Sequence, residues 1–118
     1  MPGLHFTDTG EVKSPEEIAG PVCDMKFFLP LAEDSGKKRY VRVTVAIELV
    51  DKAYKKEMDQ NVSDLRREII NIVLAKSPEE VKSSEGKELL RKEIADSLNK
   101  YFSEGYVKNT YFTELVIL

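Results

Sequence analysis

Cysteine and histidine occur once each in this chain, as Cys23 and His5, and tryptophan does not occur. A lone cysteine forms no internal disulfide, so cysteine usage does not fix a redox compartment. Zinc sites need clustered nitrogen and sulfur ligands, and one of each excludes them. A Cys–His nucleophile pair would have to join Cys23 to His5, with no third group evident to orient them. Cys23 reads as a small buried hydrophobe. The six glycines are scattered, so there is no phosphate-cradling loop and no dinucleotide fingerprint. No cofactor is expected. The net charge of −3 and the short basic run Lys37-Lys38-Arg39, read as a solvated turn, argue against nucleic acid. No stretch approaches the roughly 20 apolar residues that cross a bilayer, and no signal peptide is visible. Acidic doublets such as Glu16-Glu17 and Glu79-Glu80 fall at helix starts, where they complement the macrodipole better than they serve acid–base work.

What is present describes one ordered domain. The 118 residues are 42% hydrophobic and 33% charged, enough to bury a core without staples. Residues 1–22 are loop-like, broken by Gly3, Gly10, Pro15, Gly20 and Pro21, and read as a linker or docking arm with one apolar pair, Leu4 and Phe6. The domain proper is expected over residues 23–118.

Within it, Met25–Leu31 is a short apolar run interrupted by Pro30, which suits an edge strand or a strand end. Asp34, Ser35 and Gly36 supply turn chemistry. Val41, Val43, Val45, Ile47 and Leu49 then alternate with Tyr40, Arg42, Thr44, Ala46 and Glu48. That period of two predicts a strand with one buried face, forming a hairpin with the preceding run. Met58, Val62, Leu65, Ile69, Ile72 and Val73 recur at helical spacing and predict one helix from about Lys55 to Lys76. Ser77-Pro78-Glu79-Glu80 matches a capping box that opens a second.

Ser84 is a further cap candidate, ahead of the stripe Leu90, Ile94, Leu98 and Phe102, with Gly105 placed as the stop. Gly86 is costly in the first turn of such a helix. It suggests either a joint between a short turn and the long helix, or close approach of another backbone. Phe102 belongs to the core stripe, whereas Tyr101 covers the sheet edge or touches a partner. The closing strand is apolar on both parities, with Tyr111, Leu115 and Ile117 on one and Phe112, Val116 and Leu118 on the other. Such a strand is central in a covered sheet or awaits a partner. The predicted fold is α+β in two layers: a small antiparallel sheet packed on one face by two main helices, in the order β-β-α-α-β.

These residues resemble a known family. The segments Glu85-Gly86-Lys87, Leu90-Arg91, Ile94, Leu98-Asn99, Gly105-Tyr106-Val107 and Tyr111-Phe112-Thr113-Glu114 are similar, in order and spacing, to the end of flagellar basal-body-associated FliL proteins. The strand Tyr40–Leu49 and the helix with Asp64-Leu65-Arg66 and Ile69-Ile70 extend the likeness over about residues 38–118. The resemblance implies a non-enzymatic motor component with a stomatin/prohibitin-like domain. It implies a single-pass inner-membrane protein with this domain in the periplasm, attached through an N-terminal transmembrane helix absent from these residues. It also implies self-association into a ring, and stator complex proteins as partners in assembly, torque or swarming. A stomatin-like scaffold for a different membrane complex is the alternative. Leu4, Phe6, Tyr101 and Gly86 are the residues expected at partner or oligomer contacts.

Overall fold

A computed structural model describes residues 21–32, 36–102 and 106–118. Three strands, β1 (Val22–Pro30), β2 (Tyr40–Leu49) and β3 (Val107–Ile117), form an antiparallel sheet in the order β1-β2-β3. A short 3-10 turn, Lys52–Tyr54, leads into α1 (Lys55–Gln60), α2 (Val62–Leu74), α3 (Pro78–Lys82) and α4 (Ser84–Tyr101). The two-layer α+β architecture follows the predicted order.

The central strand carries the alternation that organises the core. Val41, Val43, Val45, Ile47 and Leu49 are all buried on the helix-facing side. Their cross-strand partners are Leu29, Phe27, Met25 and Cys23 on β1, and Ile117, Leu115, Phe112, Thr110 and Val107 on β3. Leu65, Ile69 and Val73 of α2 and Leu90, Ile94 and Leu98 of α4 close that layer, joined by Phe102 just beyond α4. Each such aliphatic side chain contributes about 1.5–3 kcal/mol when withdrawn from water. The hairpin turn places Gly36 at φ +72°, a left-handed conformation that glycine adopts without penalty. Its companions Asp34 and Ser35 lie outside the described residues.

Four expectations need correction. The apolar stripe over 55–76 is divided at Asn61, which has φ −110° and ψ 11° and whose side-chain amide donates to the Glu57 carbonyl at 2.8 Å. That side-chain bond competes for a main-chain acceptor and bends the helix there. The cap of α4 is Ser83, whose hydroxyl accepts from the Gly86 N–H at 3.0 Å; Ser84 is the first helical residue. The far side of β2 is also largely buried, because Thr44, Ala46 and Glu48 lie between β1 and β3.

The fourth concerns β3. Register shifts occur opposite Thr44/Val45 and Glu48/Leu49, so Thr113 and Lys108 are extra residues on the β3 side. A β-bulge of this kind resets the alternation. Phe112 therefore shares the helix face with Leu115 and Ile117, although simple parity sets it against them.

Both edges of the sheet meet an arginine from the helical layer. Arg66 of α2 donates to the Lys26 carbonyl of β1 at 3.1 Å and lies over the Phe27 ring, 4.5 Å from its centroid. Arg91 of α4 donates to the Thr110 carbonyl of β3 at 3.3 Å while forking onto Glu88. Cations on edge carbonyls discourage edge-to-edge pairing.

The capping box at Ser77 is formed as predicted. The Glu80 N–H donates to the Ser77 hydroxyl at 3.4 Å, and the Ser77 N–H donates to the Glu80 carboxylate at 2.9 Å. That main-chain donor, followed by the serine side chain, holds the Glu80 carboxyl below its ordinary value. A depressed carboxylate stabilises above its unfolded value and loses that contribution as pH falls through the folded one. Ser77→Ala should cost about 1 kcal/mol in thermal unfolding. Glu80→Gln should flatten the decline of the melting temperature below pH 4.5; an unchanged acid limb would show that the box contributes nothing there.

Candidate functional site

Among the described residues no group of three His, Cys, Asp or Glu side chains could hold a metal ion. Cys23 is buried on β1, and burial pushes its thiol above the ordinary value, which disfavours the reactive thiolate. His5 lies outside the described residues. What the molecule offers instead is surface.

One such surface is an aromatic corner where the end of α4 meets α1 and the start of α2. Tyr54 stacks on Tyr106 with ring centroids 4.2 Å apart, Tyr106 stacks on Phe102 at 4.9 Å, and Tyr101 meets Phe102 edge-on at 5.2 Å. Ring pairs of this geometry add about 0.5–1.5 kcal/mol beyond burial. The hydroxyl of Tyr101 donates toward Asn61 at 3.0 Å and Asp64 at 2.9 Å, so this exposed residue clamps α4 to the bend between α1 and α2. The Asp64 hydrogen bond raises the Tyr101 phenol above its ordinary value.

Tyr106 donates to the Glu57 carboxylate, and that hydrogen bond pushes its phenol up to about 12. A raised phenol contributes stability while protonated, fully so below its ordinary 10, and loses it as pH rises through about 12. Tyr106→Phe should remove this alkaline component. Melting profiles of the two proteins should converge at high pH, and parallel profiles would show that the bond is not formed.

The second surface is the sheet face turned away from the helices. Phe28, 60% exposed, stacks on Tyr40 with centroids 5.3 Å apart and planes 2° from parallel. Beside them Arg42 pairs with Glu114 at 3.2 Å, and the Thr44 hydroxyl lies 3.5 Å from the same carboxylate. Further along, the buried Glu48 accepts from the Asn109 amide at 3.2 Å, with the Lys108 ammonium 4.0 Å away. No helix among the described residues packs on this face.

The residues singled out for contact are not brought together. Leu4 and Phe6 lie outside the described residues. Gly86 and Tyr101 occupy opposite ends of α4, separated by about 22 Å at the helical rise of 1.5 Å per residue. Gly86 sits where α3 turns into α4, and a Cβ added there would lie 1.7 Å from the Glu80 carbonyl oxygen. Both readings of that glycine, joint and close backbone approach, describe the same place. The members of the aromatic corner are spread from residue 54 to residue 106, too far apart to form a local pattern in the sequence. Only the Tyr101-Phe102 doublet signalled it.

Residues 22–117 match the profile of the family described as flagellar basal body-associated protein FliL. The flagellar protein FliL of Aquifex aeolicus (strain VF5) is 33% identical over 94 residues, which cover 80% of this chain and 58% of the relative. The flagellar protein FliL of Bacillus subtilis (strain 168) is 23% identical over 101 residues, covering 86% of this chain and 70% of the relative. The chain thus spans little more than half the length of the first of these. With the match running from the start of β1 to the end of β3, the chain belongs to the flagellar basal body-associated protein FliL family.

Proposed function

We propose that this domain is a non-enzymatic assembly module of the flagellar motor, forming an oligomeric ring that supports stator assembly or activation and so raises torque or swarming. The observation that carries this reading is the family match across the whole sheet-and-helix unit. The domain sits in the periplasm in this reading, anchored to the inner membrane by a transmembrane helix that precedes it; no described helix is long and apolar enough to cross one. A ring requires a heterologous, head-to-tail contact, since a self-complementary patch closes as a dimer. The exposed Phe28–Tyr40 stack and the clamp at Tyr101 are surfaces available to such contacts. The arm carrying Leu4 and Phe6 is proposed to engage a stator component or the neighbouring subunit.

The test is a truncation. Because the Pro21 carbonyl accepts from the Leu49 N–H at 2.8 Å and β1 begins at Val22, the deletion should end at Gly20 to spare the sheet. In motile cells it should abolish recruitment of fluorescent stator units while the isolated domain keeps its melting temperature. Normal recruitment without the arm would discard its role.

A further inference from the structure

The end of the sheet holds a cleft separate from both surfaces described so far. It has a volume of about 560 Å³ and is lined by Lys37 and Arg39 ahead of β2, by Leu115 and Ile117 of β3, by Pro78, Glu79 and Lys82 of α3, and by Lys87 of α4. Such a volume lies within the range of ordinary ligand sites. Lys37, Arg39 and Lys82 face the Glu79 carboxylate there, in a chain whose net charge is −3. The Lys82–Glu79 pair, at 3.6 Å and well exposed, neutralises little of that surplus. Arg39 is steered to the rim by its Nε–H bond to the Leu118 carbonyl at 3.2 Å.

The backbone beside this cleft has a defined polarity. Tyr40 and Leu118 exchange both main-chain bonds, at 3.1 and 2.7 Å. Alternation along an antiparallel ladder then turns the N–H and C=O groups of Leu115 and Ile117 away from β2, toward the outer edge of the sheet. Arg91 covers the Thr110 carbonyl, and the bulge at Thr113 interrupts the edge between them. The outward main-chain groups nearest the cations therefore belong to Leu115 and Ile117.

We propose that this edge accepts an extended acidic peptide from a partner protein as an added strand. Main-chain hydrogen bonds to Leu115 and Ile117 would hold it, and its carboxylates would meet Lys37, Arg39 and Lys82. Strand addition derives affinity from the backbone and selectivity from alternate side chains. Here the alternate side chains meet a cationic wall with an apolar floor. The proposal rests on the cleft alone and is independent of the motor reading.

Fluorescence anisotropy with a labelled octapeptide alternating glutamate and valine tests it. The peptide should bind, weakening roughly tenfold between about 50 and about 300 mM salt, and a lysine–valine counterpart should not. The double variant Lys37→Gln/Lys82→Gln removes two exposed charges without touching the core, and should weaken binding about fivefold or more. N-methylating every second peptide nitrogen should abolish binding for one parity and spare it for the other. Equal loss or equal retention for both parities would overturn strand addition. Displacement by inorganic pyrophosphate at the peptide's own concentration would mark a bare anion site and overturn it equally.

Discussion

Gly86→Ala will destabilise the domain severely, although alanine is the better helix former by about 1 kcal/mol. The new Cβ would lie 1.7 Å from the Glu80 oxygen and 2.7 Å from its carbonyl carbon, both main-chain atoms of α3. Main chain cannot rotate aside as a side chain does. Relief requires α3 to move off α4, disturbing the buried Val81 and the Ser83 cap. Overpacking against a fixed wall costs about 1–3 kcal/mol and more where nothing yields, so a loss near 3 kcal/mol is expected. At this size that lowers the melting temperature by roughly 10–20 °C. Glu85→Ala, one position earlier on the same exposed turn, serves as the control and should be nearly neutral. An alanine variant as stable as its parent would mean that the two backbones do not approach as described.

Phe112→Ala and Val116→Ala form the second test. Both residues lie on the same parity of β3, four apart, and simple alternation treats them alike. The bulge at Thr113 separates them: Phe112 is fully buried opposite Val45, while Val116 pairs with the exposed Arg42 on the other face. Removing a buried phenyl ring leaves a cavity and costs about 3–5 kcal/mol. Val116→Ala should cost less than about 1 kcal/mol, as expected away from the core. Chemical denaturation of the two variants decides the register. Comparable losses would mean that β3 runs without a bulge.

These two cases mark where the sequence was legible and where it was not. Period-two alternation in β2 and the Ser77–Glu80 box act locally, within a few residues, and both were readable from the chain alone. So was the Leu90–Ile94–Leu98–Phe102 stripe. The bulge left no trace because Thr113 is an ordinary strand residue; its extra position exists only relative to β2. The bend at Asn61 arises from one side-chain hydrogen bond in an otherwise continuous apolar stripe. The choice of Ser83 over Ser84 as cap turns on one residue between equal hydroxyls. Tyr101 remained undecided because its partners, Asn61 and Asp64, lie some forty positions away. The candidate surfaces were the least legible part. The arginines over both edges and the cationic cleft are assembled from elements far apart in the chain.

The central position of β2 has a temporal consequence. Its two neighbours reach it from opposite directions along the chain: β1 across the short connection 31–39, β3 only after α1 to α4. A hairpin closes within microseconds, whereas strand pairing across so long a loop is slow, because the closure entropy comes first. Until β3 docks, one whole margin of β2 and the apolar row beneath it stand uncovered. A ribosome that releases the polypeptide gradually therefore meets a half-built sheet, and cooperative locking awaits the emergence of the last strand, from Val107 onward.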